Sequence, residues 1–132
     1  MEAAIRLALD DAVNGALPCK FYFVALGNDK DPSPELLKRL NSYPHPVKAY
    51  SECKKHKIRM GEILNDYEYR DRRTKGRGIK VRASIDKWLS PNSARVFYGW
   101  DQYSMATIGV TVEMLKIDGK WVVKKILSTV QT

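Results

Sequence analysis

A two-residue turn near the C-terminus constrains the fold of this chain most. Asp118-Gly119 lies between two apolar strand patterns, and this dipeptide favours the type I′ turn, whose twist matches that of a β-hairpin. If Ile117 pairs with Lys120, the numbers of paired residues sum to 237, so Met114 lies beside Val123. The turn therefore predicts both a hairpin and its register.

This register leads to a packing prediction for Trp121. Trp121 and Val123 should share a buried face with Met114, and Trp121 should anchor the sheet against the first helix through one of that helix's apolar residues, Ile5, Leu9 or Val13. Glu113 should lie opposite Lys124 as a cross-strand ion pair. The apolar phase changes within both strands, so we expect a bulge or burial on both faces to absorb the change.

The first half of the chain predicts two helices around one strand. Apolar residues recur at helical spacing near the N-terminus, at Ile5, Ala8, Leu9, Ala12 and Val13. Gly15 can end this helix in a left-handed conformation. Cys19 to Leu26 is rich in aromatic and β-branched residues and predicts a short buried strand. Ser33 followed by Pro34 predicts the start of a second, short helix.

From Val47 onward the pattern is β. Residues 79 to 86 alternate between apolar and polar, which indicates a strand with one buried face and one basic, water-facing face. The glycines and like charges of Asp71 to Gly78 predict an exposed hairpin loop with unpaired arginines. The predicted fold is α+β, with an N-terminal helix and a second short helix packed on a curved, mostly antiparallel, meandering sheet of about five to six strands, in one domain spanning residues 1–132.

Two sets of residues resemble known families. The N-terminal helix, the long antiparallel strands and the closing Gly119-Lys120-Trp121-Val122-Val123 resemble the cystatin-like and nuclear-transport-factor-like group, in which a curved sheet wraps around helices. The stretch from Asp31 to Leu40, with Val47-Lys48 and Ser51-Glu52-Cys53, resembles an uncharacterised family of small bacterial α+β proteins over about residues 19 to 130. The resemblance implies a fold and no catalytic residue.

Apolar runs and cysteines bear on the compartment. No apolar run approaches the length that spans a bilayer, and the N-terminal segment is interrupted by two aspartates, so it reads as a helix and not as a secretion signal. Cys19 and Cys53 fit no metal or redox spacing and are predicted to be free thiols. We expect a cytoplasmic protein without a cofactor or metal; an exported form whose signal has been removed is the alternative, with a Cys19–Cys53 disulfide.

The positive charge is concentrated in one region. The net charge is +8, and most of the excess lies between residues 52 and 87. The candidate polyanion-binding residues of this region are Lys54, Lys55, Lys57, Arg70, Arg72, Arg73, Lys75 and Arg77. They would neutralise phosphates, while Tyr67 and Tyr69 stack on exposed bases. The alternative is a solubilising surface that protects a sheet edge.

A second candidate site is an apolar pocket on the concave face of the sheet, lined by aromatic residues, Trp88, Tyr98, Trp100 and Tyr103. These aromatics would equally serve as core or dimer interface. An isomerase or dehydratase would need Asp101 in the pocket as a titratable group, but alternation places Asp101 on the face opposite Tyr98 and Trp100.

The function that this pattern favours is a non-enzymatic binding or accessory domain that holds a protein partner or a small-molecule ligand, either as a monomer or as a homodimer. Two hypotheses from other classes stay open. One is nucleic-acid or polyanion binding through residues 54 to 77, and the other is a small-pocket isomerase or dehydratase.

Overall fold

The computed structural model describes residues 1–60, 63–103 and 106–131, with only the backbone at 59–60 and 63–66. Two helices and eight strands follow one another in this order: α1 (Glu2–Gly15), β1 (Phe21–Leu26), α2 (Pro34–Arg39), β2 (Val47–Ala49), a 3₁₀ turn (Tyr50–Glu52), β3 (Cys53–Met60), β4 (Ile63–Asp71), β5 (Arg77–Ser90), β6 (Ser93–Tyr103), β7 (Ala106–Ile117) and β8 (Lys120–Gln131).

The strands form one curled sheet, a half-barrel. Its main order is β2-β1-β5-β6-β7-β8, and the β3–β4 hairpin joins it where β4 pairs with the ends of β5 and β6. The two helices and the curved sheet are confirmed, but the sheet has eight strands and not five to six. It is also mixed, because β1 runs parallel to both β2 and β5. A three-residue strand such as β2 is too short to leave a pattern in the sequence.

Helix α1 buries the predicted face, at Ala4, Ile5, Ala8, Leu9 and Ala12. Val13 is 39% exposed and lies outside that face. The helix does not end in a left-handed glycine, because Gly15 is its last helical residue and Ala16 is extended, with φ −83° and ψ 157°. A Cβ at Gly15 would lie 3.4 Å from the indole of Trp100. Gly15 therefore allows α1 to pack closely against the sheet and does not form the C-terminal cap of the helix.

The sheet has a hydrophobic core on each of its two sides. On the side of α1, which we call the helix face, Tyr22, Val24 and Val81 join the larger core. On the opposite side, the back face, Phe23 packs with Cys53 and Tyr69 in a smaller one. Strand β1 is therefore buried on both sides, which explains its unbroken run of apolar residues.

Strand β5 departs from the prediction on its polar side. Ile79, Val81 and Ala83 are buried as expected, but Lys80 is only 8% exposed. Its Nζ lies 2.7 Å from Oδ1 of Asp29 and 4.3 Å from the ring centre of Tyr50. The prediction of a water-facing basic side is wrong here, because the 3₁₀ turn and the β1–α2 connection cover it.

The terminal hairpin confirms the predicted turn and register. Asp118 and Gly119 both have positive φ, 51° and 77°, and Ile117 pairs with Lys120. The pairing of β7 with β8 shifts in register between Met114 and Glu113, close to the point where the change in the apolar pattern predicted a bulge. The predicted ion pair to Glu113 forms, with Lys124 Nζ 3.8 Å from its Oε1, although the ladder itself pairs Glu113 with Lys125.

The packing predicted for this hairpin is only partly right. Trp121 is half-buried and packs on the larger core, where it lines a cleft with Met1 and Ala4 at the N-terminal end of α1 and not with Ile5, Leu9 or Val13. Val123 is 40% exposed, so it does not share the burial of Met114. The reason is that α1 packs over β5 and β6 and leaves most of β8, including Val123, uncovered.

Candidate functional site: a basic face beside the β3–β4 hairpin

A tight turn between β4 and β5 positions most of the predicted cations. The buried carboxylate of Asp71 accepts hydrogen bonds from the backbone N–H and the hydroxyl of Thr74, at 2.9 and 3.0 Å, and pairs with Lys48 Nζ at 3.0 Å. The bond from the Thr74 N–H, helped by Lys48, lowers the pKa of Asp71 from 3.8 to about 2. The segment is therefore an ordered turn rather than a long loop.

The arginines of this turn are exposed, as predicted, but they are not all without partners. Arg72 Nε donates to the Ser51 carbonyl at 3.0 Å. Arg77 Nε lies 3.8 Å from Glu68 Oε2 with its side chain 74% exposed. Arg73 is exposed and lines neither of the clefts described next.

Two adjoining clefts collect the basic side chains. The first is lined by Pro18, Cys19, Lys20, Arg70, Lys75, Gly76 and Arg77. The second is lined by Lys54, His56, Arg70, Asp71, Arg72 and Lys75. Arg70 and Lys75 belong to both clefts and make the surface continuous. We call this surface the basic face, defined by Lys20, Lys54, His56, Arg70, Arg72, Lys75 and Arg77.

Two carboxylates lie close to the basic face, and both are sequestered. Glu68, 9% exposed, accepts a 2.6 Å hydrogen bond from Arg70 Nε and also lies near Arg77. Asp71, 1% exposed, is neutralised by Lys48. Because these negative charges are buried and paired, the outward-facing charge of the surface is positive.

The hairpin divides the predicted cations between two sides. Residues directly opposite in an antiparallel pair share a side, so Lys54 lies with Arg70, while Lys55 and Lys57 lie with Tyr69 and Tyr67. Lys55 Nζ sits 4.6 Å from the ring centre of Tyr67. Lys55 and Lys57 are therefore separated from the basic face, although both are exposed.

The two tyrosines do not form a stacking platform on the basic face. Tyr69 is 1% exposed, in the smaller core, and burial raises the pKa of its hydroxyl. Tyr67 is half-buried, with its ring 5.6 Å from that of Tyr69. Their position on the opposite side of the hairpin follows from strand alternation.

Lys20 was missed as a candidate because its neighbours are distant in sequence. It immediately precedes β1, and its N–H donates to the carbonyl of Arg77 at 2.9 Å. The parallel pairing of β1 with β5 thus brings Lys20 to Arg77. His56 is an exposed residue of β3 within the basic face.

The four predicted pocket aromatics lie in different surroundings within the described part of the chain. Trp100 is 4% exposed and Tyr98 is half-buried against the larger core. Tyr103, at the end of β6, is half-buried as well. Trp88 is 55% exposed and meets Trp121 edge to face, with ring centres 5.8 Å apart.

A small cleft opens beside this pair of tryptophans. It has a volume of about 100 Å³ and is lined by apolar side chains, Met1, Ala3, Ala4, Ile85, Trp88, Ala94, Val96, Met114 and Trp121. We call it the tryptophan cleft. Asp101, the acid that an enzyme hypothesis requires, lies on the back face, where it pairs with Arg82 at 3.0 Å. The predicted separation of Asp101 from Trp100 is confirmed.

The remaining sequence-based expectations concern thiols, metals and membranes. Cys19 and Cys53 are free thiols, as predicted. Within residues 1–60, 63–103 and 106–131, no group of three His, Cys, Asp or Glu side chains is placed to hold a metal ion. No helix in that part of the chain is both long and apolar enough to cross a membrane.

No protein-family model, no curated protein and no solved structure matches this chain. The resemblance to cystatin-like and nuclear-transport-factor-like proteins therefore stays a proposal based on the helix and the curved sheet.

Proposed function

We propose that this chain is a non-enzymatic binding domain that holds the phosphate backbone of a nucleic acid on its basic face. The observation that carries the proposal is the pair of clefts that share Arg70 and Lys75. Adjoining cationic clefts suit a ligand whose negative charges repeat along a strand. A nucleic acid has this repeat, and the nearby carboxylates of Asp71 and Glu68 are each paired with a cation, Lys48 and Arg70.

The same geometry favours contacts to phosphates over contacts to bases. Recognition of exposed bases by stacking needs aromatic faces along the path of the strand, but Tyr69 is buried and Tyr67 carries Lys55 on the other side of the hairpin. Binding should therefore depend strongly on salt and weakly on base sequence.

Matched charge variants test the proposal. The double variant Lys54→Gln/Lys75→Gln removes two charges from the basic face, and Lys55→Gln/Lys57→Gln removes the same charge from the opposite side. Fluorescence anisotropy with labelled single-stranded and duplex oligonucleotides would be measured between about 50 and 200 mM salt. Thermal melts of both variants establish that they are folded.

The expected result separates the two variants. Loss of two phosphate contacts should reduce the slope of log K against log salt by about 1.4 to 1.8, and the control should leave the slope nearly unchanged. Equal losses in both variants would mean that only net charge matters and would refute the proposed site. Binding to heparin or to anionic vesicles without binding to oligonucleotides would refute nucleic acid as the ligand.

A small apolar ligand in the tryptophan cleft is a second candidate function. The cleft is apolar throughout and of the size that holds a single small ring. Toluene should perturb the NMR signals of Trp121 and Met114, and filling the cleft by Ala3→Phe should abolish the effect. Unchanged signals in the presence of toluene would exclude this site.

An isomerase or dehydratase has weaker support, because the cleft has no ionisable lining side chain and Asp101 is held by Arg82.

A further inference from the structure

Strand β8 is a long edge strand without a partner on its outer side. Within the described part of the chain it pairs only with β7, so a row of its main-chain N–H and C=O groups faces outward. It has 12 residues, all exposed apart from the half-buried Trp121. The large apolar residues among them are Val122, Val123, Ile126, Leu127 and Val130, which are 40 to 62% exposed.

The exposed apolar residues of β8 lie on both faces of the sheet. Ile126 pairs with Val112, which is fully buried in the larger core, so Ile126 belongs to the helix face. Val122 pairs with Leu115, and Val130 pairs with Gly109. Leu115 and Gly109 alternate along β7 with the residues that face the larger core, so Val122 and Val130 belong to the back face. A partner that covered only one face would leave the other exposed, whereas a strand added at the edge would extend both faces.

We propose that a second copy of this chain pairs with β8 through its own β8, antiparallel, about a two-fold axis at Ile126. In this register, paired residue numbers sum to 252. Val122 then lies beside Val130 of the second copy, and both belong to the back face. The pairing is isologous, because the same edge serves both subunits.

The lysines of β8 disfavour a two-fold axis nearer the start of the strand. About Ile126, Lys124 lies beside Ser128 and Lys125 lies beside Leu127, so no lysine faces another. An axis at Lys125 would place that residue against its own copy, and an axis between Lys124 and Lys125 would pair the two lysines. Like charges directly opposite each other destabilise a sheet.

The length of the overlap is sufficient for a specific interface. Residues 121 to 131 overlap completely about Ile126, a length of about 36 Å at 3.3 Å per residue. Alternate residues on each strand then form about ten new main-chain hydrogen bonds, which is the number in a typical protein interface. The exposed side chains of β8 add apolar burial to these bonds.

Engineered cysteines test both the second copy and its register. In a Cys19→Ser background, Ile126→Cys should form a disulfide-linked dimer on mild oxidation, since each residue 126 faces its own copy. Val122→Cys alone should not, but a mixture of Val122→Cys and Val130→Cys chains should cross-link. Cross-linking of Val122→Cys with itself would overturn the register.

A charge variant tests the dimer without cysteines. Ile126→Lys places two lysines at the axis and should give a monomer by light scattering at protein concentrations where the wild type is dimeric. Leu89→Lys, at a residue 43% exposed on β5, is the matched control and should stay dimeric. A wild-type chain that is monomeric at high concentration, or a dimer that Ile126→Lys does not dissociate, would overturn the proposal. The basic face uses other residues, so these outcomes are independent of nucleic-acid binding.

Discussion

The indole nitrogen of Trp100 donates a 2.8 Å hydrogen bond to Oδ2 of Asp11, joining β6 to α1 across 89 residues of sequence. Trp100 is 4% exposed, and Gly15 lets the last turn of the helix approach its ring. This bond combines apolar burial with a charged acceptor. It therefore fixes the position of α1 on the sheet.

Truncation of Trp100 should be strongly destabilising for that reason. We expect Trp100→Ala to lower the free energy of unfolding by about 3 to 5 kcal/mol, because it leaves a cavity in the larger core. Trp88→Ala removes a residue that is 55% exposed and should cost about 1 kcal/mol. Urea unfolding measures both, and equal losses would contradict the packing described here.

Asp71 should contribute to the dependence of stability on pH. Its pKa is lowered in the folded state to about 2, below the ordinary 3.8, first by the Thr74 N–H and also by Lys48. Because the pKa is lower in the folded state, the ionised carboxylate stabilises the fold at pH values above the pKa of the unfolded state. This contribution disappears as the pH falls from about 4 to about 2. Asp71→Asn should lower stability at neutral pH by about 1 to 3 kcal/mol. Urea unfolding from pH 6 to 2 should show a smaller pH dependence for the variant, and an unchanged dependence would contradict this role.

Gly99 should not tolerate a side chain. It faces Gly109 across β6 and β7, and a Cβ at Gly99 would lie 2.1 Å from the carbonyl oxygen of Ile108. Because that oxygen is backbone, the strands must separate to admit a methyl group. We expect Gly99→Ala to cost several kcal/mol, beyond the 1 to 3 kcal/mol typical of overpacking, by thermal or urea unfolding. A Cβ at Gly119 would meet no atom within 4 Å, but the alanine would have to keep φ 77°. Gly119→Ala should therefore lower the free energy of unfolding by only about 1 kcal/mol.

The two thiols should differ in reactivity. Burial raises the pKa of Cys53 to about 11, and its residue is 5% exposed, so its thiol stays protonated and shielded near neutral pH. Cys19 is half-buried and lines a cleft with Lys20 and Arg77. An anionic aromatic disulfide reagent should label Cys19 first, and Cys19→Ser should remove the fast phase. A fast phase that persists in Cys19→Ser would contradict this assignment.

The sequence predicted local structure correctly wherever a few adjacent residues determine the backbone geometry. Asp118-Gly119 predicted the turn and the register as far as Met114, because the positive φ angles of a type I′ turn suit this pair. Ser33 predicted the start of α2, and its hydroxyl accepts a hydrogen bond from the Leu36 N–H at 3.2 Å. The alternation from Ile79 to Ala83 likewise predicted which side of β5 meets the larger core.

Relations between distant segments were decided only by the tertiary structure. The cationic region was evident from residues 52 to 87, but the β3–β4 register separated Lys55 and Lys57 from it, and the parallel pairing of β1 with β5 added Lys20. Composition does not encode which strands pair, so neither result followed from charge alone. Lys80 became buried, and Val123 stayed exposed, for the same reason. Burial depends on which elements cover a strand, and α1 covers β5 and β6 but leaves most of β8 uncovered.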